Sequence, residues 1–239
     1  MLRLCALYPD LMNIYADRGN LAVLERRCAW RGIEFELSSA GIGQRLDPDA
    51  HDLFYLGGGQ DRDQRRCAKD LVATKREALA VAAQRGAVVL GICGGFQLLG
   101  HGYQLDGERL PGLGLIDAQT AREPGPRLIG NVAIEVEFDG ERQLLAGFEN
   151  HGGRTYLGAA ERPLGRVLRG HGNNGRDGGE GVRRGNVIGT YLHGPLLPKN
   201  AWFADWLIRT ALGLRALEPL PDDSLEYAAH ASARTAAGM

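Results

Sequence analysis

The stretch "AVVLGICGGFQLLG", residues 87–100, places a cysteine between glycines at the point where one apolar pattern gives way to another. The β-branched run at 87–92 predicts a short buried strand, and the apolar spacing that starts at Phe96 predicts a helix after it. Glycine tolerates the backbone angles of a tight connection, which would leave the side chain of Cys93 accessible. The pattern is the cysteine counterpart of the G-x-S-x-G nucleophile turn. It predicts a nucleophilic thiol at a helix N-terminus, where the partial positive charge lowers the thiol pKa.

The number and spacing of the cysteines indicate the cellular compartment in which the protein works. The chain has four cysteines, none of them in a CxxC pair or at zinc-finger spacing. We therefore expect no disulfide framework, no metal site and a reducing, cytoplasmic compartment. Cys5, Cys28 and Cys67 lie within strand or helix patterns, which favours a structural role for each of them. For Cys93 the structural alternative is a buried thiol in a glycine-rich turn.

Composition and charge narrow the class of protein. With 239 residues, 44% of them hydrophobic, the chain can bury the core of one α/β domain. Its 28 basic and 29 acidic residues give a net charge of -1, which indicates no nucleic-acid or anionic-membrane partner. No apolar run reaches about 18 residues, and the N-terminus lacks a signal-peptide pattern, so we expect no transmembrane segment.

Predicted strands and helices alternate through the first half of the chain. Apolar patterns predict strands at 2–8, 33–37, 51–59 and 87–92, and helices at 19–32 and 61–84. This order predicts an α/β fold with a mostly parallel sheet and helices on both faces.

The second half of the chain has fewer predicted helices. Its patterns predict strands at 131–138 and 186–193, an exposed loop or hairpin at 169–186, and a closing helix at 200–212. No linker pattern separates two domains. We therefore predict one domain over 1–220 and a tail over 221–239 that frays or forms a short helix.

A cysteine nucleophile needs a base, and His193 ends an apolar strand pattern at the same predicted edge of the sheet as Cys93. An imidazole there can take the thiol proton and later protonate a leaving amine. A histidine that only caps a loop is the structural alternative. His151, in the polar glycine-rich segment "ENHGGRT", is predicted to lie on a loop that could line the pocket. The remaining histidines are predicted at the surface: His51, His101, His171 and His230.

A third strand pattern, "YLGGGQD" at 55–61, also ends in glycines. Gly57, Gly58 and Gly59 can offer unobstructed backbone N–H groups. A phosphate cradle is one use for such a loop, but the GK[ST] and GxGxxG patterns of nucleotide sites are absent from the sequence. An oxyanion hole that faces Cys93 is the favoured interpretation.

Three of these motifs together, "GICGGFQLLG", "YLGGGQD" and "GTYLHG", resemble a class I glutamine amidotransferase domain, which has a flavodoxin-like fold. The longer segments "LYPDLMNIYADRGNLAVLERRCAWRGI", "GFENHGGRTYLG" and "GTYLHGPLLPKN" are similar to the GatD family, the glutaminase subunits of lipid II isoglutaminyl synthase. The resemblance extends from about Leu7 to Asn200. It implies that Cys93 attacks the side-chain amide of L-glutamine and that ammonia is released.

The resemblance also implies roles for individual residues. His193 matches the family's catalytic histidine, and Gly58 matches its oxyanion loop. Four further residues match positions that bind the substrate glutamine or flank its pocket: Gln97, Arg127, Asn150 and Gly152. Of these, Arg127 would grip the α-carboxylate, a task that suits the planar guanidinium.

One departure from the wider class concerns the histidine. Many class I amidotransferases carry H-x-E, with the glutamate orienting the ring, whereas this chain has His193, Gly194 and Pro195. Either an acid elsewhere in the chain fills the role or a partner subunit supplies it, and the resemblance favours the partner. The resemblance implies that this partner is a MurT-like, Mur-ligase-related synthetase in a heterodimer, with ATP and Mg²⁺ expected on the partner and no cofactor expected in this chain. It would use the ammonia to amidate the D-glutamate α-carboxyl of the lipid II stem peptide.

Two alternatives stay open. One is a cobyric-acid-synthase-like amidotransferase subunit that serves another acceptor. Those enzymes generally carry a synthetase domain on the same chain, for which 239 residues leave no room. The other is a non-catalytic binding homologue, which the intact Cys93, His193 and Gly57–Gly59 argue against.

Overall fold

The computed structural model describes residues 1–14 and 17–239. Its strands are Leu2–Leu7 (β1), Phe35–Ala40 (β2), Leu53–Leu56 (β3), Val88–Ile92 (β4), Gly102–Leu105 (β5), Glu108–Pro111 (β6), Ala118–Arg122 (β7), Leu128–Phe138 (β8), Glu141–His151 (β9), Gly153–Leu157 (β10), Gly165–Arg169 (β11), Gly179–Glu180 (β12), Val182–Arg184 (β13) and Val187–Thr190 (β14). Its helices are Arg18–Ala29 (α1), Asp61–Asp70 (α2), Arg76–Arg85 (α3), Gly94–Leu99 (α4), Ala201–Ala211 (α5) and Ser224–Ala236 (α6). A π-helical turn at Leu71–Lys75 joins α2 to α3.

A six-stranded sheet with the order β13-β14-β4-β3-β1-β2 forms the centre of the fold. All neighbours pair in parallel except β13 and β14. The connection through α1 runs from β1 outward to β2, whereas the connection through α2 and α3 runs from β3 the other way to β4. Because such crossovers are right-handed, the two connections lie on opposite faces of the sheet. The predicted α/β fold with a mostly parallel sheet is confirmed.

The predicted strand at 33–37 is wrong in its bounds, since β2 spans Phe35–Ala40. Ile33 still belongs to the turn that ends α1, because its N–H donates to the carbonyl of Cys28 (2.9 Å). Gly32 takes a φ of +64° in this turn, a conformation that favours glycine. The chain therefore becomes extended only after this turn has closed.

The second half of the chain adds two four-stranded sheets, with the orders β10-β7-β5-β6 and β12-β11-β8-β9. The long β8–β9 hairpin pairs Leu128 with His151, so β9 reaches residues that the sequence placed in a loop. The segment at 169–186 is only partly the exposed loop that was expected. Asn173 is 1% exposed there, and its side chain bonds both the N–H and the carbonyl of Gly181.

The C-terminal tail forms α6, one of the two outcomes that the sequence left open. Its anchor is Arg27 on α1, which is 1% exposed and forms an ion pair with Asp223 (2.8 Å). The same guanidinium also binds Asp205 on α5. In the described ranges, 1–14 and 17–239, no helix is both long and apolar enough to cross a membrane.

Candidate active site

Cys93 stands between β4 and α4 with φ 50° and ψ -103°, a backbone conformation that is strained for any residue but glycine. Strain of this kind persists only where surrounding contacts enforce it. Here the N–H of Cys93 donates to the carbonyl of Thr190 (2.8 Å), and its own carbonyl accepts the N–H of Gln97 (3.1 Å). The sequence prediction of a strand–turn–helix connection is therefore confirmed, and it ties Cys93 to the end of β14.

The glycines after Cys93 allow the neighbouring loop to press against the turn. A Cβ atom on Gly95 would lie 2.0 Å from the carbonyl oxygen of Leu56, and one on Gly94 would lie 2.9 Å from the N atom of Gly59. Gly95 also donates its N–H to the carbonyl of Gly57 (3.1 Å). The close approach of Gly57–Gly59 to this turn thus depends on the absence of side chains at Gly94 and Gly95, the first two residues of α4.

We expect Gly95→Ala to lower the free energy of unfolding by at least about 2 kcal/mol, because the new methyl group collides with backbone atoms that cannot move alone. Gly130→Ala is the matched control, since a Cβ atom there meets nothing within 4 Å. Urea unfolding of both variants measures the difference. Equal midpoints for the two would contradict the predicted close packing at Gly95.

His193 follows β14, whose Thr190 pairs in register with Ile92 directly before Cys93. The ring is 1% exposed, and its backbone exchanges two hydrogen bonds with Phe148 (2.9 and 3.1 Å). Burial lowers the pKa of His193 to about 4, and electrostatic interactions with His151, Lys199 and Arg127 act in the same direction. The imidazole is therefore neutral at neutral pH and able to accept a proton.

The pKa of the Cys93 thiol differs from the expectation. Burial raises the pKa of Cys93 to about 12, and the charge of Asp17 acts in the same direction, while Arg127 and the N–H of Gly94 oppose both. The expected lowering at a helix N-terminus is wrong for this chain, because α4 has only six residues and desolvation of the thiolate outweighs its dipole. As a nucleophile, Cys93 would therefore need a base to take its proton, and His193 as that base stays a prediction.

The Gly57–Gly59 loop lies beside Cys93, as predicted, but one of its donors is already engaged. The N–H of Gly58 donates to Oδ2 of Asp17 (2.6 Å), a carboxylate that is 1% exposed. Burial raises the pKa of Asp17 to about 7. The role of Gly58 as an oxyanion donor stays a prediction, and it requires this bond to open.

A cavity of about 350 Å³ brings Cys93 together with all the predicted substrate residues. Its walls include Gln97, Arg127, Asn150 and Gly152, besides Gly59 and His151. Three larger cavities are lined by no cysteine: two of about 500 and 740 Å³ that border α5 and α6, and one of about 550 Å³ that borders β1, β2 and α1. Cys93, the predicted nucleophile, therefore marks the cavity of about 350 Å³ as the candidate active site.

Arg127 and Asn150 form one side of this cavity. The guanidinium donates from Nε to Asn150 Oδ1 (2.7 Å) and from Nη2 to the Asn150 carbonyl (2.8 Å). These two bonds fix the plane of the guanidinium at the rim of the cavity. A positive group held in this way can bind a carboxylate in two-point fashion.

Gln97 and His151 form the floor, and both are held by Tyr191. Nε2 of Gln97 donates to the Tyr191 hydroxyl (3.2 Å), while its Oε1 has no hydrogen-bond partner in the part of the chain that the structure describes. The His151 ring stacks on Tyr191 at 3.5 Å. Its expected place in a loop is wrong, since it ends β9 and is 1% exposed, but it does line the pocket.

Sequence reasoning missed three residues of this region: Asp17, Glu149 and Tyr191. Asp17 precedes a helix, where an aspartate ordinarily caps the first turn, yet its side chain forms no cap bond. Glu149 is fully buried and lies 3.7 Å from the His151 ring. Only the three-dimensional arrangement brings these groups near the cavity, whose lining includes none of the three. The segment "ENHGGRT", for which a loop was predicted, begins with Glu149 on β9.

The comparisons with known proteins agree with this geometry. Residues 3–201 match the CobB/CobQ-like glutamine amidotransferase domain. The chain is 42% identical over 213 residues to the lipid II isoglutaminyl synthase (glutamine-hydrolyzing) subunit GatD of Streptococcus pneumoniae, covering 88% of this chain and 80% of that protein. It is 41% identical over 203 residues to the GatD subunit of Staphylococcus aureus, covering 84% and 81%.

More distant similarities point to the same domain. Cobyric acid synthase of Rhodobacter capsulatus is 38% identical over 144 residues, which cover 58% of this chain but only 28% of that enzyme. Among solved structures, PurLQS from Thermotoga maritima superposes with a TM-score of 0.60 at 23% identity, over 89% of this chain and 98% of that one, which supports the fold alone. The chain therefore belongs to the family of CobB/CobQ-like glutamine amidotransferases, and within it to the GatD proteins.

Proposed function

We propose that this chain is the glutaminase subunit of a lipid II isoglutaminyl synthase and hydrolyses L-glutamine at Cys93. The observation that carries the proposal is the strained turn that holds Cys93, bonded through its N–H to Thr190 at the end of the strand that leads to His193. The names of the two GatD relatives support the assignment to this synthase.

The two side chains perform the hydrolysis in balanced steps. His193 takes the proton of the Cys93 thiol while the sulfur attacks the γ-amide carbon, and the carbonyl oxygen becomes an oxyanion. The C–N bond then breaks as the imidazolium returns its proton to the amide nitrogen, which leaves as ammonia. Water, deprotonated by His193, attacks the remaining thioester, so that glutamate departs and the thiol is restored.

The ammonia serves a second subunit in this proposal. A MurT-like, Mur-ligase-related synthetase binds ATP and Mg²⁺ and activates the D-glutamate α-carboxyl of the lipid II stem peptide, and ammonia from Cys93 converts it to the amide. The two subunits form a cytoplasmic heterodimer, and lipid II is reached through the partner. The cavity at Cys93 opens at the carboxyl ends of β3 and β4, where open α/β sheets receive their ligands.

We expect Arg127→Lys to lower kcat/KM for glutamine by about 10- to 100-fold, mainly through KM, because lysine cannot bind the α-carboxylate with a planar fork. Thermal stability should change little, since Arg127 is exposed. Arg166→Lys is the matched control, an arginine 68% exposed that pairs with Glu135 away from the cavity. Steady-state kinetics at low glutamine and a melting curve separate the outcomes. Wild-type kinetics in Arg127→Lys, or a collapse in its stability, would count against the substrate role.

The function itself is tested by co-expression of the chain with a Mur-ligase-like synthetase. We expect the two proteins to purify together and to convert lipid II to its amidated form with glutamine and ATP. Mass analysis of the stem peptide detects the amide as a loss of about 1 Da. Glutamine hydrolysis without any change in the mass of the stem peptide would support the glutaminase activity and contradict lipid II as the acceptor.

A further inference from the structure

The amide of Gly58 and the carboxylate of Asp17 form a short bond inside the protein. Gly58 N–H donates to Asp17 Oδ2 at 2.6 Å, across a sequence separation of 41 residues. The carbonyl of Gly58 accepts the N–H of Ile14 (3.2 Å). Both backbone polar groups of Gly58 are therefore held by the segment before α1, of which Ile14 also lines the cavity that contains Cys93.

The Asp17 carboxylate has no structural task that would explain its charge. It precedes α1 but forms no side-chain cap bond with the helix. It is 1% exposed, and its second oxygen, Oδ1, has no hydrogen-bond partner within residues 1–14 and 17–239. A buried carboxylate with one partner is costly, whereas an asparagine or serine would hold the same backbone amide without a charge.

The charge of Asp17 affects the thiol of Cys93. Asp17 raises the pKa of the Cys93 thiol, as Asp61 does more weakly, and Arg127 and the N–H of Gly94 counteract both. An oxyanion hole requires free donors and a positive potential. Burial raises the pKa of Asp17 to about 7, so the ionised form predominates above neutral pH. In that form the carboxylate engages one loop donor and adds a negative charge, and both effects oppose formation of the thiolate and of the oxyanion.

We propose that Asp17 is a latch on the oxyanion loop, which withholds the Gly58 N–H until the bond between them opens during turnover. The proposal rests on the proposed function, because the oxyanion in question arises from glutamine. Asp17 is a positioning residue in this scheme, since it does not line the cavity and holds the Gly58 N–H without touching the reacting atoms.

The first test compares Asp17→Asn with wild type in glutamine hydrolysis by the isolated chain. Asparagine keeps the size and an acceptor oxygen, but a neutral acceptor binds an amide about half as strongly as a carboxylate. We expect kcat to rise about tenfold with KM unchanged, since one weakened bond of this size corresponds to about one factor of ten. Asp17→Ala, which removes the acceptor, should raise kcat at least as far if its melting temperature matches that of Asp17→Asn.

Asp61→Asn is the matched control, because it removes another charge that acts on Cys93, from a residue that lines the cavity and leaves the bond between Gly58 and Asp17 in place. Its increase in kcat should be clearly smaller than that of Asp17→Asn. Equal increases in kcat would mean that Asp17 acts only through its charge at a distance, which would overturn the latch. A kcat for Asp17→Asn at or below that of wild type would overturn it as well, because the carboxylate would then support the active loop.

A second readout is independent of turnover. The pH midpoint for alkylation of Cys93 by iodoacetamide should fall in Asp17→Asn, and by more than it falls in Asp61→Asn. If wild type together with its synthetase hydrolyses no glutamine, the proposed function fails, while alkylation still tests whether Asp17 controls the thiol. An unchanged midpoint in Asp17→Asn would overturn the latch even in an active glutaminase.

Discussion

Replacing Cys93 with alanine should abolish glutamine hydrolysis, with a loss of roughly 10⁶-fold, the size seen when a catalytic nucleophile is removed. The other three cysteines should be dispensable. Cys5, Cys28 and Cys67 are at most 1% exposed, and burial raises the pKa of each thiol. None of them stands at a strained turn beside a cavity. We therefore expect their alanine variants to be less stable but still to hydrolyse glutamine.

The measurement is ammonia release from glutamine by all four alanine variants, each with a melting curve. Rates per folded molecule should be close to wild type for the three control variants. If Cys93→Ala released ammonia at the wild-type rate, the nucleophile would have to lie elsewhere. Alkylation of wild type with a glutamine analogue that reacts with thiols should label Cys93, which also distinguishes an enzyme from a non-catalytic homologue.

The second large effect concerns the acid that orients His193. Burial lowers the pKa of His193, and interactions with His151, Lys199 and Arg127 act in the same direction. In the sequence, Gly194 and Pro195 stand where the H-x-E pattern has its acid. A carboxylate beside the ring would raise the pKa and stabilise the imidazolium. Loss of the orienting acid costs about 10⁴-fold in a Ser-His-Asp triad. We therefore expect the isolated chain to be a poor glutaminase and the synthetase partner to raise its kcat by up to about that factor.

The test measures glutamine hydrolysis with and without the partner, and then with partner carboxylates near the interface changed to Asn or Gln. One such change should return the rate to that of the isolated chain while the complex stays intact by gel filtration. Full activity of the isolated chain, or indifference to every partner carboxylate, would place the acid within these 239 residues. The buried acids Glu149 and Glu180 would then be examined first, through Glu149→Gln and Glu180→Gln.

Local sequence patterns determined much of the architecture. The apolar run before Cys93 and the glycines after it specify a strand, a turn and a helix through neighbouring residues alone, and the structure has all three. The alternation of strand and helix patterns likewise specified the parallel sheet. The paired strands between 102 and 157 were largely missed. Four of them have only four or five residues, too few for a clear alternating pattern, and their stability comes from pairing with other strands.

The tertiary structure alone decided the details of the site. Sequence places Asp17 at a helix start, but folding brings its carboxylate to Gly58, 41 residues away. Sequence places Cys93 at a helix N-terminus, but burial reverses the expected shift of its thiol pKa. A one-dimensional pattern records period and turn propensity, whereas desolvation and hydrogen bonds between distant residues exist only once the chain is packed. The sequence therefore determined which residues could act, and packing determined their protonation and their partners.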